Sequence, residues 1–305
     1  MPPLRLGVSL QPRWPLHDGT AALRAAGHAE ALGFDHVAVG NRLLDSGFGL
    51  DNDPLVLLSA VAGATTRLRL LTSVLVAPYY PALLLANQAA TLDVVSGGRL
   101  ILGVGTGWSP EEFDAVGVPS RERGARADDH LEAAKALWTQ RPADFAGPFT
   151  TLRAARLGVP PVTPGGPPVW VGGHSDAALR RALRFGDGWY GSGPDAAELT
   201  DVRRRLREVA AGMGIAGTIA DTGAADRLTI ASAEFLTPPG IPAAVPSPGR
   251  PLGGAAPTAA SVTDDLGRLA EAGLATCTLW LPIAAEHVEQ AMEWIAAEVM
   301  PQLTH

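Results

Sequence analysis

VWVGGHSDAALRRALRFGDGW, residues 169–189, holds one complete structural unit. A short apolar run ends in two glycines, a polar cluster follows, and an Ala/Leu/Arg segment with helical spacing leads to a second apolar run at 188–191. That change of period reads strand, helix, strand. A right-handed crossover of this kind leaves its two strands parallel. Gly172 and Gly173 lie where the strand gives way to the helix, with His174 next and Ser175 at the N-cap position. A helix start leaves unpaired N–H groups pointing outward with a partial positive charge, so the turn reads as a seat for an anion, phosphate above all. The same residues also read as an ordinary capped turn.

The alternation recurs in both directions from this unit. Candidate strands fall at 4–10, 34–39, 68–76, 100–104, 168–172, 188–191, 227–236 and 275–281. Helices fall near 20–32, 54–65, 81–95, 121–139, 175–185, 195–212, 258–272 and 285–300. Eight strand–helix repeats make the chain α/β and predict a (β/α)8 TIM barrel as a single domain over residues 1–305. A doubly wound open sheet is the rival. In a barrel, function gathers on the loops after the strand C-termini, here 11–19, 40–53, 77–80, 105–120, 172–174, 191–194, 237–257 and 282–284. The Pro/Gly-rich loop at 237–257 reads as a lid or as a plain surface loop. Segment 141–167 follows a helix and is expected on the opposite face.

Composition bounds the partners. The 305 residues are 47% hydrophobic and 18% charged, enough apolar material for a large core. A net charge of −7 argues against nucleic acid and against an anionic membrane surface, both of which need a basic face. Every basic residue except Lys135 is arginine, so an anion would be met by a planar fork. MPPLRLGVSL shows no basic leader, and no run reaches the roughly 18 apolar residues of a membrane span. Cys277, alone in TCTLWLP, has no disulfide partner and is expected as a buried thiol. Together these features predict a soluble, cytoplasmic protein.

Two further stretches carry candidate chemistry. ILGVGTGWSPEEF (101–113) places Gly103, Gly105 and Gly107 after a strand, only loosely like a dinucleotide fingerprint because the next strong helix begins too late. Glycines at a strand end also make room for a flat ring, and Trp108 supplies a flat surface beside it. LRLLTSVLVAPYYP (68–81) sets Thr72, Ser73 and Val74 inside a barrel strand, and GNRLLD (40–45) sets Asn41 and Arg42 just past another. Polar residues at strand ends are the usual catalytic positions of a barrel. Ser73 equally reads as an interior hydroxyl on backbone, and Asn41 and Arg42 as a turn residue and a surface charge. There is no G-x-S-x-G elbow, P-loop or HExxH, and the seven histidines fall at no ligand spacing, which argues against a metal.

TSVLVAPYYPALLLANQAATLDVVSGGRLILGVGTGW (72–108), EEFDAVGVPSRERGARADDHLEAAKALW (111–138) and PPVWVGGHSDAALRRALRFGDGW (167–189), in that order, resemble the bacterial luciferase-like family. The likeness is strongest to its branch of deazaflavin (coenzyme F420) dependent oxidoreductases and is continuous from about residue 54 to 190. The resemblance implies a flavin or deazaflavin ring across the C-terminal mouth of the barrel, backed by a non-prolyl cis peptide that would fall at Ser73–Val74. It places the cofactor phosphate on Gly172, Gly173, His174 and Ser175. Thr72, Ser73, Val74, Gly105 and Gly107 would stand near the ring, Trp108 near the ring and substrate, and Asp187 to Trp189 would close the floor. It also suggests a homodimer.

One stretch departs from the family. Relatives commonly carry an acidic residue and then histidine after the second strand, where VAVGNRLLD has Asn41 and Arg42. Arginine is held cationic by its high pKa, so it suits a negative charge on a reduced ring or an anionic substrate and is a poor base. Trp14, His17 and Glu112 are the candidate replacement polar partners. The expected activity is F420-dependent hydride transfer to or from a small organic substrate, with Asn41, Arg42, Trp108 and Glu112 as the catalytic candidates. An FMN-dependent monooxygenase is the alternative, and a flavin-binding barrel without turnover is a third reading. The loops that set specificity contain no group diagnostic of a substrate.

Overall fold

The computed structural model describes residues 3–10, 18, 20–45, 52–213 and 223–303. Eight parallel strands form the frame. They are β1 (Arg5–Ser9), β2 (His36–Val39), β3 (Arg69–Thr72, resuming as Leu75–Val76), β4 (Leu100–Gly105), β5 (Val169–Gly172), β6 (Gly188–Ser192), β7 (Thr229–Phe235) and β8 (Thr276–Trp280). Each pairs in parallel with its neighbours in sequence, and β8 returns to β1 with Arg5 opposite Thr276, so the sheet closes into a barrel. The open-sheet rival is thereby excluded.

The helices between them are α1 (Ala21–Leu32), α2 (Pro54–Ala64), α3 (Ala82–Ser96), α4 (Arg123–Thr139), α5 (Asp176–Phe185), α6 (Ala196–Gly212), α7 (Ala259–Glu271) and α8 (Val288–Trp294). Their starts are set by local chemistry. The Asp53 carboxylate accepts from the N–H groups of Leu55 and Val56 at the head of α2, and Asp195 with Glu198 closes a capping box at α6. The helices bury their apolar faces against the outer side of the strands in one continuous core. Where one helix was expected near 285–300, the chain winds through a 3-10 turn, α8, a π segment (Ile295–Val299) and a final 3-10 turn.

Residues 143–155 form an antiparallel hairpin, Ala143–Ala146 against Thr151–Ala155. Its tip meets α4, where the Phe149 N–H donates to Asp129 at 3.3 Å. Further on, Thr163 donates its N–H and its hydroxyl to the Asp93 carboxylate, each at 2.8 Å, in the last turn of α3. The Thr163 end of this segment thus lies at the foot of α3, away from the strand C-termini, while the hairpin tip reaches the N-terminal half of α4.

The barrel interior follows the period of two. Ala38, Leu71, Ile101, Trp170, Tyr190 and Ala231 form its apolar filling. His36 occupies the space that Gly7 leaves on the neighbouring strand, with Nε2 2.8 Å from the Thr278 hydroxyl and Nδ1 2.9 Å from Asp35. Burial pushes the His36 pKa down, so the neutral ring donates to Asp35 and accepts from Thr278. Arg69 pairs with the same Asp35 carboxylate.

The Pro/Gly-rich loop is fastened rather than free. The Leu252 N–H donates to the Phe235 carbonyl at 2.8 Å, the Ala244 N–H to the Pro282 carbonyl at 2.8 Å, and the Gly253 N–H to Asp265 at 2.8 Å. These contacts set it against the ends of β7 and β8.

Candidate active site

A cavity of about 530 Å³ opens at the C-terminal ends of the strands. Its floor is the interior filling: the Ser73 hydroxyl donates to the Tyr190 hydroxyl at 2.9 Å, and Tyr190 stacks on Trp170 with centroids 6.2 Å apart. The peptide bond between Ser73 and Val74 is cis, at the position the family resemblance assigns. Val74 then projects between β4 and β5. A Cβ on Gly105 would lie 2.7 Å from Val74 Cγ2, and one on Gly172 would lie 3.2 Å from Cγ1. Gly107 has φ +73, and a Cβ there would meet Val76 Cγ1 at 2.6 Å. Side chains at Gly105 and Gly107 would collide with Val74 and Val76, and one at Gly172 would crowd Val74, so these glycines let the two valines seat against the strand ends as a smooth apolar wall. Such a wall suits a flat ring.

The β5–α5 turn stands at one end of this wall. Gly173 has φ +119, the Ser175 hydroxyl accepts from the Ala178 N–H at 3.3 Å, and the first-turn N–H groups of Asp176 and Ala177 lie outside the intrahelical ladder. Two side chains fasten the turn from behind. The Trp189 indole donates to the Gly173 carbonyl at 2.7 Å, and Arg205 of α6 donates to the His174 carbonyl at 2.9 Å while pairing with Asp176 at 2.5 Å. The Asp176 carboxylate is therefore met by its own cation and does not oppose an incoming anion. The His174 ring faces the cavity edge-on to Trp189, with its pKa lowered by burial, so it stands neutral. A glycine turn, a helix start and a neutral imidazole donor fit a phosphate.

The opposite end is built around Arg42. Its guanidinium lies over the Trp108 ring, 4.5 Å from the centroid, and its side chain is 15% exposed. Glu112 Oε1 is 3.0 Å from Arg42 Nε, in ion-pair range but off the line of a hydrogen bond. Glu112 is held by neutral donors: the N–H groups of Leu43 and Leu44 reach Oε1 at 2.9 and 3.1 Å, and the Tyr79 hydroxyl reaches Oε2 at 3.0 Å. Burial and this carboxylate push the Tyr79 pKa up, keeping its proton in place. Glu112 lies on a short helix, Pro110–Ala115, started by the Ser109 hydroxyl and by proline in the first turn.

The sequence-derived candidates divide in two. Asn41, Arg42, Ser73, Val74 and Gly105 line the cavity, as do Gly107, Trp108, Gly172, Gly173 and His174. Thr72, Glu112, Ser175 and Trp189 stand behind that lining. Thr72 donates to the Gly103 carbonyl at 2.6 Å, Glu112 braces Arg42, Ser175 caps α5, and Trp189 is buried outside the barrel wall beneath Gly173. Trp14 and His17 lie outside the described residues. Sequence reading missed Ser9, Tyr190, Thr278, Phe235 and Trp280, which also face the cavity. Their signal is the period of two: Gly188, Tyr190 and Ser192 alternate with the outward Trp189. Among the described residues no group of three or more His, Cys, Asp or Glu is placed to hold a metal, and no helix is long and apolar enough to cross a membrane.

The chain has relatives among known proteins and solved structures. The chain is 41% identical over 157 residues to the Mycobacterium tuberculosis protein Rv0940c, covering 52% of this chain and 54% of that one. It is 32% identical over 186 residues to an FMNH2-dependent dimethylsulfone monooxygenase of Pseudomonas putida, covering 58% and 51%. The chain thus spans about half the length of the curated relatives it matches. An F420-dependent secondary alcohol dehydrogenase, solved with an F420–acetone adduct, superposes with a TM-score of 0.79 over 99% of both chains at 18% identity, which shows a shared fold. The luciferase-like monooxygenase family model matches residues 5–234, three quarters of the chain, and this protein belongs to that family.

Proposed function

We propose that the protein is an oxidoreductase that holds coenzyme F420 across the mouth of the barrel and works on a small organic substrate. The observation that carries the proposal is the smooth wall of Val74 seated against Gly105 and Gly172, running to the Gly173–Ser175 turn, a slot that suits a flat ring with a phosphorylated tail. The order of motifs from residue 72 to 189 supports the deazaflavin branch.

When bound, the deazaflavin supplies or accepts hydride. The chain supplies position. Val74 presses between the glycines of β4 and β5 and sets the back of the slot. Gly173, Ser175 and the first turn of α5 present N–H groups to the phosphate, and Trp189 and Arg205 hold that turn in place. Phe235 and Trp280, edge to face with centroids 5.6 Å apart, form an apolar wall that excludes water from the far side of the cavity.

FMN is the second reading, favoured by the 32% identity to FMNH2-dependent dimethylsulfone monooxygenase. Titration of the purified chain with each cofactor, followed by fluorescence, separates the two. Binding of F420 with no oxygen consumption in turnover is expected. Tight FMN binding with oxygen uptake would move the protein to the monooxygenase side. The buried Cys277 fits a reducing, cytoplasmic setting, and the family resemblance supports a homodimer, which sedimentation velocity measures.

A further inference from the structure

Four buried polar atoms of cavity-lining residues lack a hydrogen-bond partner: Ser9 Oγ, Asn41 Nδ2, and Arg42 Nε and Nη1. They sit together at the ends of the adjacent strands β1 and β2. Buried polar groups in folded proteins are nearly always paired, so a cluster of unpaired ones marks a place where a ligand completes the pairing. Asn41 cannot turn its amide away, because its Oδ1 already accepts the Val76 N–H at 3.0 Å. Its Nδ2 is held beneath the cavity surface beside the Tyr80 hydroxyl, so Asn41 fixes the turn that carries Arg42.

Charge points the same way. Among the described residues lining the cavity, Arg42 carries the one formal charge: there is no carboxylate there, and His174 stands neutral. Glu112 does not quench it fully, since that carboxylate is shared among two backbone N–H groups and the Tyr79 hydroxyl and meets Arg42 out of line. Trp108 fixes one face of the guanidinium, leaving its edge to bind. A desolvated, incompletely paired guanidinium recognises a planar oxyanion. Across the cavity, Val74, Ala233, Phe235, Pro248 and Trp280 offer only apolar surface.

Building on the oxidoreductase reading, we propose that the substrate is a small organic acid whose carboxylate sits on Arg42 while its apolar portion lies against Phe235 and Trp280. Arg42 is thereby a specificity-determining residue rather than a replacement base, and Glu112 is its positioning residue.

Calorimetric titration of the full chain with hexanoate and with hexanamide tests this, first without cofactor and then with F420 or FMN added. Hexanoate is expected to bind at least ten-fold more tightly than hexanamide. Arg42→Gln is expected to remove that preference while leaving hexanamide binding unchanged, and Arg42→Lys to retain part of it, with circular dichroism confirming that both variants fold. Equal binding of acid and amide by the unaltered chain would overturn the proposal. So would displacement of hexanoate by cofactor, which would assign the cluster to an anion of the cofactor itself. If neither cofactor binds, the oxidoreductase reading fails, while the cofactor-free titration still reports on Arg42.

Discussion

Glu112 holds Arg42 from behind while facing none of the cavity itself: its carboxylate is 2% exposed, 3.0 Å from the arginine Nε, and bonded to the backbone of the very residues that follow Arg42. One carboxylate thus fixes both the side chain and the loop that carries it.

Glu112→Ala leaves two backbone N–H groups, a tyrosine hydroxyl and a guanidinium without their acceptor. A loss of ~3–5 kcal/mol is expected from breaking a buried charge pair in this way. Glu112→Gln keeps an acceptor and is expected to cost ~1–2 kcal/mol. Urea denaturation of the two variants checks the order.

Gly105→Ala drives a methyl to 2.7 Å from Val74 Cγ2. Overpacking of this kind costs ~1–3 kcal/mol. Cofactor affinity is expected to fall at least ten-fold, and Val74→Ala in the same chain is expected to restore both stability and binding. Thermal melts and cofactor titration read the two effects separately.

Trp189→Phe removes the donor that holds the Gly173 carbonyl. A stability loss of about 1–3 kcal/mol follows from leaving that carbonyl unpaired. Affinity for inorganic phosphate is expected to drop along with it, although the side chain faces away from the cavity. Unchanged phosphate affinity would separate Trp189 from the cradle.

Glu234 on β7 is buried beside Ser232, whose hydroxyl donates to it at 2.5 Å, and burial pushes its pKa from 4.5 up to about 8. The folded chain therefore holds this proton more tightly than the unfolded chain does. Its contribution to stability is present in full below pH 4.5 and is lost as pH rises toward 8. Arg250, Asp265 and Glu198 also act on the group. Glu234→Gln is expected to match the unaltered chain near pH 5 and to exceed it by a few kcal/mol near pH 9. Melting curves across that range check the crossover.

How much of this was legible beforehand depends on range. The alternation of periods two and 3.6 exposed all eight strands and the crossover helices, because burial on one face leaves a local imprint. The apolar spacing near 285–300 gave the helix but not its windings, since apolar residues three and four apart do not distinguish an α-helix from one flanked by short 3-10 and π turns. Pro110–Ala115 was too short to show a period, although Ser109, Pro110 and Glu112 carried its start signal. Tyr190 and Thr278 were within reach of a strict inward count along their strands. The pairing of Arg42 with Glu112 was not, because it depends on how two loops from different strands meet at the mouth.

His36, seated in the space that Gly7 leaves and locked between Asp35 and Thr278, fills the barrel at the level of Gly7 with no exposure of its own. The funnel is blind at that end. Under the proposed function, reactant and product would use the same mouth at the strand C-termini, so release of one would precede entry of the next.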